Sequence, residues 1–249
     1  MPKSAPRTLT VIRSYQLTPN MKRITLGGAE LEGFPVDQES AYIKLQVPAD
    51  EGESLVTRTY TVRKHREELN EIDVDFMVHG DSGPASAWAT RAKPGDSITL
   101  AGPGGKKLLD FSADWLVLVG DMTALPAISV NLEQLPANAR GYAVIEILDE
   151  SDIQAFEIPE TFDIYWVINP APGKENTHLL DKLKQLPWLE GEPSIWAACE
   201  FNTMRALRQY FKQEKNVDKK AVYVSSYWKR GLSEEEHKKV KRTDAEATA

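Results

Sequence analysis

Two hydrophobic patterns that no single sheet satisfies meet at Ala101-Gly102-Pro103-Gly104-Gly105-Lys106-Lys107. Before this junction, short runs at 8–15, 21–26, 41–47, 57–63, 72–78 and 97–100 alternate polar and apolar residues, the period of strands buried on one face. One helix is expected at 84–91, opened by Pro84. After the junction, Trp115-Leu116-Val117-Leu118-Val119-Gly120 is an almost unbroken apolar run, as a parallel strand covered on both faces requires. Further strands at 143–148, 164–168, 194–198 and 222–225 then alternate with helices at 124–135, 179–186 and 204–215. The junction's glycines and proline continue neither pattern. The chain is therefore expected to be a two-domain β + α/β protein. An N-terminal six-stranded antiparallel barrel covers 1–107, and a doubly wound parallel-sheet domain with a basic C-terminal helix covers 108–249. A length of 249 residues suits two separate cores.

Composition removes several function classes. The net charge of −7 argues against nucleic acid as a partner, since phosphate neutralisation needs an excess of Lys and Arg. Basic charge is nevertheless concentrated between Lys229 and Arg242, where six Lys or Arg stand against three Glu, so an anion can be met locally. A solvated helix face is the competing reading of that segment. No apolar run approaches membrane-spanning length, and Met1-Pro2-Lys3-Ser4-Ala5-Pro6-Arg7 lacks the apolar core of a signal peptide, so membrane insertion is not expected and a cytoplasmic location is. With Cys199 as the single cysteine, neither a disulfide nor a multi-cysteine metal cluster within this chain is possible.

Two stretches of the barrel half carry chemistry. In Arg58-Thr59-Tyr60-Thr61-Val62-Arg63, strand alternation puts Arg58 and Tyr60 on one face and Thr59, Thr61 and Arg63 on the other. An aromatic plate beside a permanent cation suits a flat heterocycle bearing phosphate. An edge strand with solvated arginines is the alternative. About twenty residues on, the strand ending at His79 runs through Gly80-Asp81-Ser82-Gly83 into Pro84-Ala85-Ser86. Gly83 permits close backbone approach, Ser86 adds a hydroxyl, and a helix start offers N–H groups to a pyrophosphate.

These stretches resemble the flavin-binding signature of the ferredoxin-reductase-like flavoproteins. Together with Gly120-Asp121-Met122-Thr123-Ala124-Leu125-Pro126-Ala127-Ile128 and Tyr227-Trp228-Lys229-Arg230-Gly231, they are similar to the siderophore-interacting protein family of FAD-dependent ferric-siderophore reductases, in order from about residue 8 to about residue 242. The resemblance implies a flavin-binding barrel followed by an NAD(P)-binding-like domain. It implies FAD held by Arg58, Tyr60, Thr61, Arg63, Gly83, Ala85 and Ser86, with His79 a hydrogen-bonding residue near the pyrophosphate. Thr123 is implied to reach the ring edge, a helix cap being the alternative. Tyr227 and Trp228 are read either as covers for adenine or the ring, or as core packing.

Ferric siderophores hold iron(III) through hard anionic oxygens, and reduction to iron(II) loosens that grip. For an anionic complex the expected contacts are Lys44, Lys106 and Arg230, with Lys107 an alternative to Lys106; the family often has Arg where this chain has Gly104. Cys199 and Glu200 occupy the place where ferredoxin-reductase-like enzymes carry a Cys-Gly-Pro motif near the nicotinamide, although Cys199 also reads as a small buried hydrophobe. The acidic Asp149-Glu150-Ser151-Asp152 after the second parallel strand suits a ribose diol and repels a 2′-phosphate, so NADPH is not supported there, while NADH or a reduced ferredoxin stays open. No acid–base constellation is assigned and no bound metal is expected. The competing functions are a reductase of the same fold with a protein or quinone acceptor, and a non-catalytic siderophore-binding protein.

Overall fold

A computed structural model describes residues 5–49, 54–78, 83–172 and 177–248. The chain divides into two compact units, Met1–Lys107 and Leu108–Ala249.

The first unit contains, among the described residues, β1 (Arg7–Thr18), β2 (Met21–Gly27), β3 (Tyr42–Pro48), β4 (Leu55–Thr61), β5 (Lys64–Arg66), β6 (Glu71–Met77), α1 (Pro84–Arg91) and β7 (Ser97–Ala101). All pairings are antiparallel, in the order β4-β3-β7-β1-β2-β6-β5. Six of the seven strands correspond to the expected ones, and β5, just past the expected fourth strand at 57–63, is an addition to them. At Val62 the chain still exchanges hydrogen bonds with β3's approach, Val62 N–H to the Ala41 carbonyl and Ser40 N–H to the Val62 carbonyl. At Arg63 it transfers to β6, its N–H reaching the Asp73 carbonyl at 2.9 Å. One run of chain thus pairs first with one edge of the sheet and then with the other, closing it into a barrel, a closure that leaves few free strand edges.

Alternation sorts the side chains as the period predicts. Ile24, Leu26, Ile43, Leu45, Ile72, Val74, Phe76, Ile98 and Leu100 fill the barrel interior, each contributing about 1.5–3 kcal/mol by leaving water. Helix α1 packs against β2, β3 and β6, with Trp88 lying 5.5 Å from Phe76 between ring centroids. The intervening residues of β6 point outward and form an acidic row, Glu71, Asp73 and Asp75, matched by arginines. Arg23 grips Asp75 at 2.6 and 2.7 Å, and Arg66 grips Asp73 at 2.8 and 2.6 Å. Arg13 and Arg66 share Glu71, each donating at 3.1 Å. The hydrogen bond from Arg13 holds the Glu71 carboxyl below its ordinary range despite partial burial.

The second unit holds β8 (Trp115–Gly120), α2 (Leu125–Glu133), β9 (Gly141–Ile147), β10 (Phe162–Ile168), α3 (His178–Gln185), β11 (Pro193–Glu200), α4 (Phe201–Gln209), β12 (Val222–Trp228) and α5 (Glu234–Thr248). Its sheet is parallel throughout, in the order β10-β9-β8-β11-β12. Because β9 and β11 leave β8 in opposite directions, the switch point lies at the carboxyl ends of β8 and β11. Trp115, Val117, Val119, Ile195, Ala197 and Cys199 face α3 and α4. Leu116, Leu118 and Trp196, on the opposite face by alternation, are also buried. Helix α4 starts earlier than 204, because Glu200 supplies a cap the sequence reading did not use, and it ends in a π-helical turn at Tyr210–Glu214. Among the described residues no helix is long and apolar enough to cross a membrane.

Candidate functional site

In the first unit, Arg58 and Tyr60 share a face of β4, and both are half-buried. The Tyr60 ring lies on Phe76 of β6, with centroids 4.3 Å apart and planes tilted by 38°. Phe76 in turn touches Trp88 of α1, so the tyrosine plate rests on a rigid aromatic stack. Thr61 is buried one residue further along, with its Cα opposite Tyr42.

Helix α1 reaches this stack through Trp88. Gly83, at its N-cap, has φ 90, a backbone conformation that other residues adopt only under strain, and a Cβ built there would meet nothing within 4 Å. Pro84 follows at the first helical position, where its missing N–H is harmless. Ser86 is 6% exposed, and its Oγ is buried with no hydrogen-bond partner among the described residues. An orphaned hydroxyl in the first turn of a helix costs free energy unless something meets it, and an anionic oxygen of a bound phosphate is the group that helix N-termini accept. The residues present therefore fit an FAD pyrophosphate. Ala85 packs its side chain into the barrel core and offers only backbone. His79 lies outside the described residues.

Arg63 follows β4 and, as strand alternation expects, stands on the opposite side from Arg58. It is 7% exposed, with its Nε 3.9 Å from Asp75 at the end of the acidic row.

Of the cations expected to meet an anionic substrate, Lys44 sits half-buried on the outward face of β3, paired across the sheet with Thr59 and Ala101. The Lys106 ammonium donates to both the carbonyl and the carboxylate of Asp37 at 2.8 Å, which offsets its charge. Lys107 is exposed, and its carbonyl accepts from Ser40 Oγ at 3.3 Å.

In the second unit the switch point is organised by Asp121, just past β8 and 4% exposed. Its Oδ1 accepts from the Thr123 N–H at 3.0 Å and from the Thr123 hydroxyl. Its Oδ2 accepts from the Glu200 N–H at 2.9 Å and from Trp228 Nε1 at 2.8 Å. Burial pushes this carboxyl up, while the four donors favour its ionised form. The sequence reading missed Asp121; a lone Asp after a buried strand gives no warning that three strand ends converge on it. Thr123 does not cap α2, whose N-cap is Ala124. Its hydroxyl proton is committed to Asp121, so toward any ligand it presents lone pairs.

Cys199 and Glu200 close β11. The register of β11 turns Cys199 with Ala197 and Ile195 into the core, where burial raises its thiol well above the usual range. Glu200 caps α4, its Oε2 accepting from Asn202 N at 2.5 Å and Thr203 N at 3.3 Å, while Oε1 accepts the Arg230 N–H at 3.3 Å. Both residues build the strand end. Tyr227 packs edge-on against Trp196 at 6.3 Å, and burial raises its phenol. Arg230 is exposed, its Nη1 donating to the Pro172 carbonyl at 3.4 Å. Beyond β9, Asp149 accepts from Ser151 N at 2.9 Å and Ser151 Oγ at 2.6 Å, which holds its carboxyl low. A small cavity of about 80 Å³ lined by Phe111, Asp114, Pro136 and Arg140 lies at the amino ends of β8 and β9, the wrong end of a parallel sheet for its ligand.

Comparison with known proteins agrees with this arrangement. Residues 10–55 and 49–107 match the family model of the siderophore-interacting FAD-binding domain, and residues 113–231 match that of the siderophore-interacting protein. Ferric vibriobactin reductase ViuB of Vibrio cholerae is 37% identical over 249 residues, with 92% of each chain covered. The crystal structure of the siderophore-interacting protein SipS from Aeromonas hydrophila superimposes with a TM-score of 0.86 at 32% identity, covering 97% of this chain and 98% of that one. Ferredoxin-NADP+ reductase from Plasmodium falciparum, at 14% identity and a TM-score of 0.67 over 89% of this chain and 96% of its own, shares the fold. The chain belongs to the siderophore-interacting protein family.

Proposed function

We propose that this protein is a cytoplasmic FAD-dependent ferric-siderophore reductase, releasing iron by converting the chelated iron(III) to iron(II). The observation that carries the reading is the orphaned Ser86 hydroxyl at the glycine-opened start of α1, in a domain that also presents Arg58 and Tyr60 on one face. In this reading Ser86 and the α1 amides hold the pyrophosphate, Arg58 neutralises it, and Tyr60, backed by Phe76, supports the flavin ring. When bound, FAD supplies the conversion of a two-electron donation into single-electron deliveries, chemistry that no side chain here performs. Thr123 accepts a hydrogen bond from the ligand, with its own proton held by Asp121. Lys44 and Arg230 attract the anionic ferric complex, and Lys106 contributes less because Asp37 offsets it.

The donor in this reading is NADH. The exposed carboxylates Asp149 and Glu150 after β9 accept hydrogen bonds from a ribose diol and repel a 2′-phosphate. Purified protein loaded with FAD is mixed with NADH, NADPH or reduced ferredoxin, a ferric siderophore and an iron(II)-trapping chelator. Iron(II) release driven by NADH, and weakened by Arg58→Ala through loss of FAD, is the expected result. Reduction of a quinone or protein acceptor with no iron(II) release replaces the reading by a reductase of another acceptor. Siderophore binding with no reduction by any donor replaces it by a non-catalytic binding protein.

A further inference from the structure

The outward face of β3 presents Tyr42, Lys44 and Gln46 in succession. Tyr42 is 45% exposed and, with Tyr15, is one of two exposed aromatic residues among the described residues. Its ring lies over backbone. The phenol end of the ring lies directly over Gly104: a Cβ added to that glycine would fall 2.0 Å from Cζ, 2.2 Å from Cε1 and 2.5 Å from Cε2. The Gly104 N–H also donates to the Tyr42 carbonyl at 2.8 Å. A side chain at 104 would displace the ring of Tyr42 from this place. Where the resemblance leads one to expect an arginine, this chain keeps bare backbone and lays an aromatic plate across it.

Lys44 follows two residues on along the same face, roughly 7 Å away by the rise of a strand. Among the described residues no ion pair engages it. A flat, partly exposed π surface next to an unneutralised ammonium matches one chemical class, an anionic complex built from aromatic rings. The ring stacks on the chelator's rings in the offset geometry aromatic pairs prefer, and the ammonium meets their oxygen charge. An aliphatic hydroxamate chelator carries no ring to stack and gains only from the charge.

We infer that Tyr42 is a specificity-determining residue that contacts the substrate and favours ferric siderophores with aryl chelating groups, catecholate or hydroxyphenyl, over ferric hydroxamates. The inference rests on the reductase reading above and adds the substrate class to it. Tyr42→Leu retains apolar packing over Gly104 while deleting the π face, and Tyr42→Phe retains the π face while deleting the hydroxyl. KM and kcat are measured for both variants with a ferric catecholate and a ferric trihydroxamate, alongside flavin content and Tm. Tyr42→Leu raises KM for the catecholate about tenfold, leaves KM for the hydroxamate and kcat for both unchanged, and keeps its flavin and Tm; Tyr42→Phe behaves as wild type. Equal changes for both chelates, or none, overturn the assignment and leave the reductase reading standing. Failure of the wild-type protein to reduce either chelate overturns both.

Discussion

Trp228 donates its indole N–H to Oδ2 of Asp121 at 2.8 Å, tying the end of β12 to the end of β8, while the Glu200 N–H at the end of β11 reaches the same oxygen at 2.9 Å. One buried carboxylate thereby sets the spacing of three adjacent strand ends. Removing the indole donor with Trp228→Phe lowers stability by about 1–3 kcal/mol, the range for a hydrogen bond to a charged group. Asp121→Asn costs at least as much, because its amide places N–H donors against donors that are already there. Urea midpoints of the variants check both. Wild-type midpoints would show that the cluster is incidental.

Arg58 and Arg63 stand five residues apart and serve opposite sides of one strand. Arg58→Met is expected to weaken FAD binding at least tenfold. Arg63→Met destabilises the protein by about 2–4 kcal/mol, since it strips a partner from the nearly buried Asp75, and leaves FAD affinity within about twofold. Titration of FAD into each apoprotein, set beside denaturant unfolding, separates the two. Equal loss of FAD affinity in both variants would return Arg63 to the cofactor face.

Ser86→Ala should act with opposite signs on the two states. In FAD-free protein it removes an unsatisfied buried hydroxyl and is neutral or stabilising by up to about 1 kcal/mol. In the FAD complex it loses a hydrogen bond to phosphate and weakens binding about tenfold. Calorimetric titration and thermal melts with and without FAD read both effects, and a variant destabilised without FAD would show the hydroxyl to be satisfied by the protein.

Much of this was legible in the sequence because it depends on periodicity. The alternation of 41–47 and 72–78 and the continuous apolar run at 115–120 placed the barrel and the parallel sheet, and strand parity alone put Arg58 and Tyr60 together. The rest was hidden because it depends on where segments meet or where a helix begins. The ion pair of Arg63 with Asp75 forms across the seam where the chain passes from β3 to β6. The capping of α4 by Glu200 depends on where that helix starts. Asp121 escaped notice because Glu200 and Trp228 arrive from 79 and 107 residues away.

Acid pH should loosen the attachment of α5. His237 is 4% exposed, accepts or donates to Ser226 Oγ at 2.9 Å through Nε2, and lies edge-on to Phe201. Burial first, and the nearby Lys241, Lys229 and Lys238 after it, lower its pKa to about 4, with Glu234 opposing them. The folded state thus keeps a neutral imidazole, whereas the unfolded chain takes up a proton near the ordinary value of about 6.5. This group contributes nothing to pH dependence above that value and destabilises progressively as pH falls from there toward 4, with a ceiling of roughly 3 kcal/mol. His237→Gln should flatten the stability profile between those limits. An unchanged slope would show that the imidazole is not held neutral by burial, because the depressed carboxyl of Glu71, held by Arg13 and Arg66, loses its contribution only as pH falls below the ordinary carboxylate range.

The central claim is that a flavin held at Arg58, Tyr60 and Ser86 passes electrons to chelated iron. FAD-loaded protein is reduced under anaerobic conditions, freed of excess reductant and mixed with a ferric siderophore in a stopped-flow instrument, with an iron(II) chelator present. The account predicts that the yellow absorbance of the oxidised flavin returns as iron(II) appears, two irons for each flavin. A flavin that stays bleached beside the ferric complex, yet reoxidises when a quinone is added, would contradict it.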